Sequence, residues 1–180
     1  MALFGSYRSN RFVIHQLTRR AVLTRYRGTA LGLIWSLLTP MLMLAIYTFV
    51  FGLVLEIRWP AQEGGLARFP AILFSGMIIH SLLSDCLIQS TTVIADNPQY
   101  VKKVVFPLEA LPWVTVLSAL FQAGISLFVL ILYLLGLLLL ENDHSFGWTV
   151  VFIPLPFVMI SIVCLGIGWF VSAAAVYFRD

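Results

Sequence analysis

Residues 29–55, TALGLIWSLLTPMLMLAIYTFVFGLVL, form an unbroken run of 27 residues without a charged side chain. As a helix this run is roughly 40 Å long at about 1.5 Å per residue, enough to cross a hydrocarbon core of about 30 Å. A segment in hydrocarbon must satisfy its own backbone hydrogen bonds, so the run reads as a transmembrane α-helix and the chain as an integral membrane protein. Pro40 sits inside it, after Thr39, and is expected to bend the helix or break its hydrogen-bond ladder locally. Gly28 and Gly32 make one G-x-x-x-G at its start, a spacing compatible with close helix packing and weak as a lone match.

Composition agrees with that reading. Of 180 residues, 61% are hydrophobic and 11% charged, against roughly 45–50% and about 25% in a soluble domain. Further apolar runs at about 69–95, 114–140 and 148–178 predict three more spans, with Pro154 and Pro156 separating a lead-in segment from the last of them. The expected fold is therefore all-α: four transmembrane helices, an amino-terminal interfacial helix and a cytoplasmic coupling helix. Segment 1–28 contains Arg8, Arg11, Arg19, Arg20, Arg25 and Arg27 and no acid. Val13, Ile14, Leu17, Ala21 and Thr24 gather on one side of its helical wheel while Phe12 and Leu23 fall off it, which predicts an amphipathic interface helix. Segment 29–180 is then the transmembrane domain.

With the amino terminus inside, Lys and Arg number nine on the cytoplasmic side and two, Arg58 and Arg68, outside. The positive-inside rule selects that orientation. The formal charge of +3 is thus a matter of topology, and the basic residues are too sparse for a nucleic-acid groove. The basic amino terminus leads into a full-length span without a small-residue cleavage site after a short apolar core, so no cleavable signal peptide is expected. Cys86 and Cys164 are far apart and lack metal-ligand spacing, and read as buried small hydrophobes. Trp59, Trp113 and Trp148 fall at span borders and read as interfacial anchors.

Between the second and third spans lies the polar, proline-punctuated segment 96–113, DNPQYVKKVVFPLEALPW. Asn97 can cap a helix whose first residue is Pro98 and which Pro107 ends after Phe106. On it Tyr100, Val101, Val104 and Val105 face one way and Gln99, Lys102 and Lys103 the other. Such a helix can lie along a bilayer and offer one face to a soluble partner, or simply connect two spans with snorkelling lysines.

Two stripes within the spans stand out. Ser81, Asp85, Gln89 and Thr92 recur at spacings of four, four and three on the second span, and a carboxylate there is too costly to face lipid. The stripe either holds helices together or lines a pathway. Met43, Tyr47 and Phe51 recur every four residues on the first span, where aromatic faces can stack on sugar rings or merely pack between helices. No nucleotide-binding motif is present, so any ATP-driven step belongs to another chain. His15, His80 and His144 lie on different segments, and neither a metal centre, a catalytic group nor a bound cofactor is expected.

Residues 25–51, RYRGTALGLIWSLLTPMLMLAIYTFVF, and 97–112, NPQYVKKVVFPLEALP, together with the closing AVYFRD, resemble the membrane subunits of ABC-2 type polysaccharide and polyol-phosphate exporters, the permeases for O-antigen, capsule and teichoic acid. The resemblance implies a homodimeric permease in the bacterial cytoplasmic membrane, paired with two ATPase subunits that bind ATP and Mg, and a lipid-linked polysaccharide as substrate. It also implies that Asn97, Lys102, Lys103, Phe106 and Pro107 belong to the ATPase-coupling segment and Arg25 and Tyr26 to the interface helix. Gly28, Gly32, Trp35 and Pro40 match the start of the first span, which borders the channel and strengthens Tyr47 and Phe51 as pathway residues; Asp85 and Gln89 are pathway candidates from their stripe alone. The family has two further spans, so a chain closing on Arg179-Asp180 reads as a fragment or as one completed by another chain. An exporter of drugs or small hydrophobic molecules and a truncated, non-transporting scaffold remain as alternatives.

Overall fold

The structure of the chain, a computed structural model, describes residues 2–25, 32, 34–55, 68–94, 110–141 and 153–177. Among them the regular elements are α1 (Ala2–Arg25), α2 (Ile34–Tyr47) continuing into a π-helical stretch (Thr48–Val54), α3 (Arg68–Thr92), α4 (Leu111–Glu141) and α5 (Pro154–Tyr177). Four stretches, Ile34–Val54, Phe69–Thr92, Leu111–Leu139 and Pro154–Tyr177, are long and apolar enough to cross a membrane. The chain is an all-α polytopic membrane protein.

Proline chemistry shapes the helix ends. α4 begins at Leu111 rather than at 114, with Pro112 in its first turn, where a missing N–H would have had no partner. α5 likewise starts on Pro154 and carries Pro156 in its first turn. Gly32 has φ +53°, a left-handed conformation that side chains other than glycine avoid, and its carbonyl accepts from the Trp35 N–H at 3.2 Å. The G-x-x-x-G reading fails on this point, because Gly32 precedes the helix and offers no groove on its face; Gly28 lies outside the described residues. Near the far end of the first span the ladder widens, with the Leu55 N–H bonding the Val50 carbonyl five residues back at 2.9 Å.

α3 is the central element, packed most extensively against α4 and α5. The core it shares with them includes Phe74, Ile78, Leu82, Cys86, Ala119, Ala123 and Cys164, so both cysteines are buried apolar side chains as expected. α5 approaches α3 closely at Gly168, where an added methyl would stand 3.1 Å from the Ser90 hydroxyl. α1 does not keep its apolar face for lipid. Ile14, Leu17 and Ala21 pack against Ala110, Val114 and Leu117 near the start of α4, while Phe12 and Leu23 are exposed. Trp113 is half-buried between α1 and the bundle and meets Trp169 edge-on at 6.4 Å, a packing residue where an interfacial anchor was expected.

Candidate functional site

Asp85 lies seven residues before the end of α3 at Thr92, about 10 Å along the helix axis. It stands between the middle of its span and the end of the bundle where α1 docks. Arg25, the last residue of α1, grips it with both nitrogens of the guanidinium fork, Nη1 to Oδ2 at 3.1 Å and Nη2 to Oδ1 at 3.3 Å. The side chains remain 45% and 25% exposed, so solvent screens the pair and its worth lies as much in orientation as in energy. It ties the amino-terminal helix to the second span.

One turn further along α3, Gln89 turns toward α4, where the Ser118 hydroxyl donates to its Oε1 at 2.8 Å. Its amide nitrogen is buried and finds no hydrogen-bond partner among the described residues. Thr92 continues the stripe, whereas Ser81 is an exposed residue whose hydroxyl donates to the Ile78 carbonyl of its own helix at 2.9 Å. Asp85, Gln89 and Thr92 therefore act together and Ser81 does not. They line an open cavity of about 560 Å³ between α1, α3 and the start of α4. One wall is polar and basic, with Arg20, Thr24 and Arg25 opposite the α3 stripe; the rest is apolar, with Leu17, Ile88, Leu111 and Val114.

A smaller pocket lined by Arg25, Gln89, Ser118 and Gln122 adjoins it. There the Gln122 amide reaches the Ser36 carbonyl at 3.5 Å. That carbonyl is the one that Pro40, lacking an N–H, leaves without its usual partner four residues on. Polar side chains thus run from Arg25 and Asp85 through Gln89 and Ser118 to Gln122 and the backbone of α2. Ser118, Gln122 and Ser126 fall at spacings of four on one side of α4, a signal as regular as the α3 stripe and overlooked in the sequence. Arg20 and Thr115 carried no such signal.

Tyr47 and Phe51 face protein. Tyr47 meets Phe51 at 6.2 Å and Phe74 at 6.3 Å, and Phe51 meets Phe69 edge-on at 5.7 Å; Met43 is exposed. At the first π-helical residue the Thr48 hydroxyl donates to the Leu44 carbonyl at 2.8 Å and lies 3.2 Å from the Tyr133 hydroxyl. These residues stand toward the other end of α2, apart from the Asp85 cavity. Tyr26, Asn97, Lys102, Lys103, Phe106 and Pro107 lie outside the described residues.

Comparison with known proteins accounts for this architecture. The chain is 28% identical over 170 residues to an O-antigen export system permease protein RfbA of Myxococcus xanthus, covering 94% of this chain and 61% of the relative. A protein of the same name from Klebsiella pneumoniae is 27% identical over 166 residues, covering 91% of this chain and 59% of its own length. The chain thus spans about three-fifths of the length of the curated relatives it matches. The family model for ABC-2 type transporters matches residues 13–180, from the middle of α1 through all four spans, and the chain belongs to that family.

Proposed function

We propose that this chain forms part of the membrane-spanning permease of an ABC exporter that moves a lipid-linked polysaccharide, of the O-antigen, capsule or teichoic-acid type, across the bacterial cytoplasmic membrane. The observation that carries the reading is the family match from residue 13 to residue 180, supported by relatives named as O-antigen export permeases. ATP and Mg bind a separate ATPase subunit, two of which pair with a permease homodimer. The amino terminus and segment 96–113 are cytoplasmic, as the distribution of Lys and Arg favours.

Closure of the ATPase dimer then presses on the coupling segment at Asn97, Lys102, Lys103, Phe106 and Pro107 and on α1. Because α1 is pinned to α3 by Arg25 and Asp85 and to α4 by Ile14 and Leu17, that push reaches the second and third spans together. Lys102→Glu with Lys103→Glu should lower co-purification of the ATPase at least tenfold while membrane insertion stays intact. Unchanged co-purification sinks the docking role, and normal polymer export in cells lacking this permease sinks the transport reading.

A further inference from the structure

We infer that the outward face of α3 around His80 is a contact surface for a second copy of this chain, the two imidazoles meeting across a two-fold axis normal to the membrane. Eleven residues separate His80 from Phe69 and twelve from Thr92, the ends of the second span. At about 1.5 Å per residue it stands roughly 17 Å from either end, at the middle of a hydrocarbon core of about 30 Å. The other described helices leave it exposed. Ile78, Leu82 and Cys86 are buried on the opposite side of α3, so this chain packs behind His80 and not over it. A neutral imidazole carries one donor and one acceptor, and its side chain is too short to reach a membrane surface from there. Ionisable groups within spans face protein or water, because a polar group left alone in hydrocarbon is costly.

Two features favour a second copy over a water-filled passage. In the interior of the span the polar groups on this face are confined to the turn from His80 to Ser84, while Met77 before it and Ile88 beyond it are exposed apolar side chains. A passage for water needs polar groups along its length, whereas an isolated polar turn in an apolar face is how paired helices fix their register. Small residues also stand on either side of the histidine at spacings of four, Gly76 before it and Ser84 after it. A methyl group added at Gly76 would meet nothing within 4 Å, so a second helix can approach closely there. Two copies inserted the same way up hold His80 at the same depth, and a group that both donates and accepts is its own complement across a two-fold axis. The inference rests on the permease homodimer proposed above and specifies where its copies touch.

The test is disulfide crosslinking of the full chain in its membrane, with His80 kept. Gly76→Cys and Ser84→Cys, oxidised with copper phenanthroline, should each give a covalent dimer. The unaltered chain, whose Cys86 and Cys164 are buried, should not, nor should Phe128→Cys and Phe170→Cys on the exposed faces of α4 and α5. In detergent, His80→Leu should raise the dimer dissociation constant about fivefold, and His80→Gln, which keeps a donor and an acceptor, should bring it back. No covalent dimer at either α3 position, or an unchanged dissociation constant in His80→Leu, overturns the contact. So does a Ser84→Cys thiol that forms no dimer and reacts with a charged, water-soluble thiosulfonate, which would make the face a lining for water. Crosslinking at Phe128→Cys or Phe170→Cys alone keeps the homodimer and removes α3 from it, whereas a monomer in every variant overturns the homodimer as well.

Discussion

A carboxylate at the centre of a lipid-facing span costs about 2.5–3.5 kcal/mol, and Asp85 offsets that cost through its partner and its partial exposure. It lies between the middle of α3 and its end at Thr92, remains partly exposed and accepts two hydrogen bonds from Arg25. The pair should show a coupling of about 1 kcal/mol in a double-mutant cycle of Asp85→Asn and Arg25→Gln, measured by thermal unfolding in detergent, between the values for exposed pairs and for charged hydrogen bonds. Additive losses would mean that the contact only orients the two side chains. Periodicity alone put Asp85, Gln89 and Thr92 on one face, because residues four apart on a helix must share one. It was silent on Arg25, 60 residues away, since no local pattern encodes which helix will lie opposite. Trp113 was misread for the same reason: a place at a span border does not say whether a ring faces lipid or protein.

At the scale of the element, Pro40 was expected to bend the first span or break its hydrogen-bond ladder locally, and α2 continues through it from Ile34 to Tyr47 with the donor at position 40 missing. The lost hydrogen bond is real, but its orphaned acceptor, the Ser36 carbonyl, is reached by Gln122 from α4. In an apolar medium a carbonyl left alone is costly, and interhelical hydrogen bonds there contribute about 0.6–1.7 kcal/mol. Gln122→Leu, of similar volume, should therefore lower stability by about 1 kcal/mol in the presence of Pro40. It should cost clearly less beside Pro40→Ala, where position 40 regains its own N–H for Ser36. Equal losses in both backgrounds, read from unfolding midpoints in mixed micelles, would remove Gln122 from the account. The proline was legible as a missing donor; the residue that replaces it was not, although the regular Ser118, Gln122, Ser126 spacing marked the side of α4 to examine.

For the whole molecule, four long apolar runs were enough to give the all-α membrane architecture, because hydrocarbon leaves a chain few alternatives. The amphipathic face of α1 was equally plain in the sequence, though its docking on α4 was not. That docking has a consequence for biosynthesis. Ile14 leaves the ribosome well before Ala110 and Val114 exist, and at about 5–20 residues per second the delay is of the order of several seconds. During it the first helix has an apolar face and no protein to cover it, so the membrane surface must shelter α1 until the third span arrives. Nascent chains carrying Ile14→Cys and stalled with residue 100 at the membrane should crosslink to lipid through that cysteine. Chains stalled after residue 141 has entered should not, and persistent lipid crosslinking would show that α1 never leaves the surface. The same helix is thus an adsorbed peptide early in its life and a core element later, with the third span's arrival marking the change.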